Sequence, residues 1–150
     1  MAGVGSGRGP AVVAVVAVAV MLTAGNAGAT PPGPPPTAGP GGPPPAWVEQ
    51  AKVSRWLAFS GYCWNSTCVR PRSPATRTDL PGLRLAARRS VQLHFGFAAR
   101  AITVSTLGSS KVSTLPAGRL VSWRIARKGI SVISATAPGH GTVSYAVAIS

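Results

Sequence analysis

The segment GTVSYAVAIS, residues 141–150, alternates strictly, with Val143, Tyr145, Val147 and Ile149 on one side and Thr142, Ser144, Ala146 and Ala148 on the other. Period two is the period of a strand with one buried face, and it cannot be wrapped into a helical stripe without mixing polar residues into the core. The same pattern recurs three times. In residues 90–97, Val91, Leu93, Phe95 and Phe97 oppose Gln92, His94 and Gly96. In 101–107, Ile102 and Val104 oppose Thr103 and Ser105, and in 119–125, Val121, Trp123 and Ile125 oppose Ser122 and Arg124. Trp123 therefore reads as a core residue.

Turn-forming clusters separate these runs: Gly108-Ser109-Ser110, Pro116-Ala117-Gly118, Arg127-Lys128-Gly129 and Pro138 to Gly141. Shorter strands are expected at 53–60, 67–70, 83–86 and 130–136, and only 46–55 reads as a short helix. About eight short strands with regular turns predict an all-β fold, an antiparallel β-sandwich that is immunoglobulin-like in the broad sense.

The pattern begins near Trp47. Ahead of it, residues 31–45 hold nine prolines and four glycines and can build no apolar face. Such a run favours polyproline II and predicts a semi-rigid linker over 30–45, at most ~45 Å long, that carries the 46–150 domain. Further upstream, a weakly basic start is followed by the 12 apolar residues AVVAVVAVAVML (11–22) and by the small-residue motif Ala27-Gly28-Ala29. That is the layout of an export signal over residues 1–29, too short for a span of about 20 residues. The expected location is extracytoplasmic, secreted or associated with the cell envelope, with an N-terminal membrane anchor if the signal is retained.

Charge narrows the partners. Lys and Arg total 15 against two acidic residues, Glu49 and Asp79, a net charge of +13. Arginines outnumber lysines 12 to 3. A field of that sign favours polyanions, here anionic cell-wall polymers or a membrane surface, and otherwise serves solubility. Arg70, Arg72, Arg77, Arg84, Arg88 and Arg89 fall within 20 residues, with Trp64 at one end. Guanidinium groups beside an aromatic suit phosphate, carboxylate or sugar-acid ligands, so these seven are the candidate anion-binding residues. A second reading is a protein–protein adhesion or inhibitor-like module, with a protein partner and incidental charge. Nucleic acid is not the expected partner, because no recognised module is present and the signal leads out of the cytoplasm.

The two cysteines, Cys63 and Cys68, have four residues between them in CWNSTC. A zinc finger follows its cysteines with a closely spaced pair of histidines, whereas His94 falls mid-strand and His140 in a turn; a redox pair wants two intervening residues before a helix. A disulfide closing a tight loop remains, worth roughly 2 kcal/mol for a six-residue ring. No cofactor, metal or catalytic residue is implied. A Ser-His-Asp arrangement through His94 and Asp79 can be drawn, but with serine this abundant the drawing has no specificity, and the chain reads as no enzyme.

At GYCWNSTCVRP, followed by DLPGLRLAARRSVQLHFGF and the closing GTVSYAVAIS, the chain resembles small secreted or lipid-anchored proteins of high-GC bacteria. These share a YCW…C segment, then LP.L.V and a strand of alternating Phe and Leu. The similarity spans roughly residues 55–150 and implies a sandwich outside the cytoplasm with no assigned catalytic residue. This chain departs from them in lacking a lipobox cysteine and in its excess of arginine.

Overall fold

The structure, a computed structural model, describes Gly3, residues 30–84 and residues 90–150. The described residues form ten strands and one 3-10 turn, Pro74–Thr76. The strands are β1 (Ala46–Gln50), β2 (Val53–Trp56), β3 (Ala58–Trp64), β4 (Thr67–Val69), β5 (Gly82–Leu83), β6 (Ser90–Thr106), β7 (Val112–Leu115), β8 (Gly118–Arg124), β9 (Gly129–Ala137) and β10 (Gly141–Ile149). Pairing is antiparallel except for β5, which runs parallel to the end of β10.

β6 organises the sheet. Its first half pairs with β1 on one side and β8 on the other; its second half pairs with β9 and β7. The ladder is therefore continuous, in the order β2-β1-β6-β9-β10-β3-β4, with β7 and β8 along the far side of β6. Two runs expected as separate strands, 90–97 and 101–107, are one strand of 17 residues. Its buried set is odd-numbered from Val91 to Ala99 and even-numbered at Ile102 and Val104, with Arg100 and Ala101 both exposed. The register shifts at this point, and Ala101 has φ of +45°. This is a β-bulge: the extra residue bends the strand and returns the apolar face to the same concave side.

The all-β, antiparallel class is the one the alternation predicts. The two separate layers of a sandwich are not what the pairing forms. Because β6 belongs to both halves, the sheet is curled as a half-barrel around one core. Val91, Leu93, Phe95, Val121, Trp123 and Ile125 share that core with Ile133, Val143, Tyr145, Val147 and Ile149. Each such side chain contributes about 1.5–3 kcal/mol when fully buried.

The helix expected at 46–55 is instead the β1–β2 hairpin, turning at Ala51 with φ of +52°. Ala46 and Val48 are buried while Trp47 and Glu49 lie on the other face, and pairing with β6 settles the conformation. The 53–60 run is divided at Leu57 into β2 and β3.

The proline-rich segment does not run away from the domain. It lies on it, with Pro31 and Pro43 buried. The Trp56 indole N–H donates to the Gly33 carbonyl (3.3 Å), the Tyr62 hydroxyl to the Ala38 carbonyl (2.8 Å) and the Tyr145 hydroxyl to the Pro44 carbonyl (2.7 Å). Gly96 allows the approach: a Cβ there would stand 2.5 Å from that of Pro44. A semi-rigid spacer was expected here; aromatic donors from three strands hold an arm in its place. The expected export signal and the strand end at 85–86 lie outside the described residues.

Candidate functional site: an arginine-bearing groove beside β3

The site starts from the β3–β4 hairpin. Its two-residue turn, Asn65-Ser66, has both φ values positive, +46° and +69°, the sense that matches strand twist in a tight hairpin. This places Cys63 directly opposite Cys68, and the two form a disulfide on the exposed face. Alternation then sends Trp64 inward. It is 5% exposed, packed edge-on against Phe97 (5.2 Å) and stacked on the His140 ring (5.2 Å). The expectation that Trp64 joins the arginines at an anion-binding surface is thus corrected: its indole is part of the core.

After β4 the chain passes back along β3. The Arg72 N–H donates to the Ser60 carbonyl (2.9 Å), which leaves the Arg70 and Arg72 side chains exposed. Both line a cleft of about 340 Å³ with Ala38, Tyr62 and Val69. A second cleft of about 410 Å³, lined by Pro34, Trp56 and Pro81 among others, shares Thr37, Phe59 and Arg77 with the first. The two form one groove, crossed by the proline arm at Thr37.

Arg77 stands between the clefts in a different role. Its Nε and Nη2 donate to Asp79 Oδ1 and Oδ2 (2.8 and 2.6 Å), and its Nη1 donates to the Phe59 carbonyl of β3. The side chain is 14% exposed. The hydrogen bonds from Arg77, with its charge, lower the Asp79 carboxyl to about 2, so that it stays ionised. The Arg77 guanidinium is raised by the same pair. A guanidinium with its charge matched and its donors engaged caps a backbone carbonyl and is not an open anion site, and Arg77 leaves the candidate set for that reason.

Arg84 is exposed beyond β5 and lines neither cleft. Arg88 and Arg89 lie outside the described residues. Of the candidate arginines, the structure brings together Arg70, Arg72 and Arg77.

The other carboxylate is engaged elsewhere. Glu49 Oε2 meets His94 Nε2 at 3.0 Å, and the His94 ring stacks on Trp47 at 4.7 Å. His94 therefore pairs with Glu49 while Asp79 pairs with Arg77, and the His94–Asp79 arrangement is not formed. A further basic cleft, about 200 Å³, gathers Lys111, Arg124 and Arg127 with Ser109 and Ser113. Its cations are not grouped along the chain: Lys111 precedes β7 while Arg124 ends β8 and Arg127 follows it, and the β6–β7–β8 fold brings these two segments together. Among the described residues, no group of three or more His, Cys, Asp or Glu is placed to hold a metal ion. No helix of the described residues is long and apolar enough to cross a membrane.

No family model, curated protein or solved structure matches the chain.

Proposed function

We propose that this protein is an exported, non-enzymatic β module that associates with acidic cell-envelope polymers through outward-facing arginines, Arg70, Arg72 and Arg84 among them. The observation that supports it is the fate of the two carboxylic side chains. Arg77 takes one and His94 the other, so no other described Lys or Arg has an ion-pair partner in a chain with 15 such cations. Positive charge that the protein does not compensate internally draws polyanions, and the attraction weakens as salt screens it. Exposed guanidinium groups add bidentate contacts to phosphate and carboxylate. The Cys63–Cys68 disulfide agrees with an oxidising location outside the cytoplasm.

The test is co-sedimentation of the full chain with isolated cell envelopes, from low salt to about 0.5 M, where screening is strong. The parent protein is expected to pellet at low salt and to be released progressively. The variant combining Arg70→Glu, Arg72→Glu and Arg84→Glu should stay in the supernatant with an unchanged circular dichroism spectrum. Binding indifferent to salt, or undiminished in the variant, refutes the proposal.

A further inference from the structure

The proline arm is held as a ligand is held. Among the described residues, the three side-chain donors that reach its carbonyls are aromatic: Trp56 to Gly33, Tyr62 to Ala38 and Tyr145 to Pro44. Prolines have no backbone N–H, so a proline-rich segment leaves its carbonyls free, and an aromatic surface with indole and phenol donors is the chemistry that reads them. At Gly39-Pro40-Gly41-Gly42 the arm turns, the Gly42 N–H donating to the Gly39 carbonyl (3.1 Å). Residues 30–38 thus form a limb of their own beside β2 and β3, while Pro43–Pro45 lead into β1.

That limb does not fill its seat. Clefts of about 410 and 340 Å³ remain, and Thr37 lines both. Their walls include Trp56 and Phe59 in the first and Tyr62 and Val69 in the second. Arg70 and Arg72 line the second, and the arm has no acidic side chain to meet them.

We infer that the groove is a receptor site for a proline-rich peptide of another protein, one carrying an acidic and an apolar side chain where this arm has Thr37 and Ala38. The arm occupies the site as a built-in competitor. The acid pairs with Arg70 and Arg72, the apolar group fills the space beside Tyr62 and Val69, and the prolines lie along Trp56 and Tyr62. This inference stands apart from the polyanion reading, because recognition depends on the extended proline conformation as well as on charge. A tethered arm competes at an effective concentration in the millimolar range, so an incoming peptide binds the intact chain more weakly than a chain whose limb has been disabled.

The experiment uses the full chain and a full-length variant in which residues 31–38 are replaced by glycine and serine. The probes are the arm peptide PPGPPPTAGP, the same peptide with Thr37→Glu and Ala38→Leu, and that second peptide with every proline changed to glycine. Binding is read by calorimetry and by tryptophan fluorescence. The acidic proline peptide is expected to bind the limb-replaced chain about tenfold more tightly than the arm peptide, the gain of a charge-assisted contact. It should bind the parent at least about tenfold more weakly than it binds the limb-replaced chain. Arg70→Gln with Arg72→Gln should abolish the preference for the acidic peptide while sparing the arm peptide. Tyr62→Phe should weaken both proline peptides about fivefold, the loss of one hydrogen bond. If the limb-replaced chain does not fold, Pro34→Gly with Pro36→Gly in the parent loosens the limb and takes its place. Failure of the acidic proline peptide to bind a folded, limb-disabled chain overturns the inference. Equal binding of the proline-free control overturns it too, because charge alone would then account for the contact.

Discussion

Alanine at two glycines of one turn gives a sharp test of how β10 meets β3. Gly141 pairs with Trp64 of β3 and with Ala137 of β9, at φ of +135°. A Cβ at Gly141 would lie 2.0 Å from the Cys63 carbonyl oxygen and 3.0 Å from its carbon, both backbone atoms. The strands must therefore part by more than an ångström, where the Asn65 N–H also reaches the His140 carbonyl (2.8 Å). Backbone strain at such a φ costs about 1–3 kcal/mol. Forcing apart a packed contact that seats Trp64 adds about 1–3 kcal/mol.

Gly141→Ala is thus expected to cost about 2–6 kcal/mol, a large share of the roughly 5–15 kcal/mol that holds a domain together. Gly139, two residues earlier, has φ of +79°, and a methyl group added there would have nothing within 4 Å. Gly139→Ala meets only the left-handed penalty of about 1–2 kcal/mol, partly offset by a less flexible unfolded chain. Urea unfolding followed by far-ultraviolet circular dichroism, with the disulfide oxidised throughout, measures both. A difference of roughly 3 kcal/mol, between the centres of the two ranges, is expected. Equal costs, within about 0.5 kcal/mol, would refute the close approach and with it the β3–β10 register.

Three other outcomes follow from the same geometry. Replacing the disulfide by Cys63→Ser with Cys68→Ser should cost about 2 kcal/mol from loop entropy. That corresponds to a fall in Tm of roughly 8–16 °C, which reduction of the parent should reproduce. Asp79 is held at about 2 against an ordinary 3.8, a folded value below the unfolded one. Its stabilising effect is complete above pH 3.8 and is lost as pH falls toward about 2, so Asp79→Asn should flatten the stability curve in that window. An unchanged acid limb would show that the Arg77 pair is not made in solution. Burial raises the Tyr145 hydroxyl above its ordinary 10.0, so stability should decline as pH rises past that value. Tyr145→Phe should remove this alkaline decline and, by leaving the Pro44 carbonyl unpaired, cost about 1–2 kcal/mol at neutral pH, both read by urea unfolding.

Much of the fold is legible along the chain. Alternation assigns Val143 to Ile149 to a half-buried strand, and Trp123 to the core, because a strand's faces are set by neighbours two residues apart. The position of Trp64 was legible by the same rule: if Cys63 and Cys68 pair on one face, the next residue points to the other. Composition likewise accounts for an extended, proline-dominated arm and for a surface short of carboxylates. What composition and period cannot state is which segments meet. The phase change between Phe97 and Ile102 reads as two strands, because only pairing with β9 and β7 beyond the bulge keeps β6 continuous. The 46–55 segment is ambiguous alone and becomes a hairpin because β6 offers it an edge. The arm reads as a spacer until Trp56, Tyr62 and Tyr145, on β2, β3 and β10, converge on its carbonyls. Arg77 and Asp79 are neighbours in sequence, but the Phe59 carbonyl that completes their cap is 18 residues away. Local alternation and composition settle which strand residues face inward and how much charge is left over. Which cations stand together, which are neutralised and where the arm lies follow from sheet curvature and long-range pairing, because no local pattern brings those groups into contact.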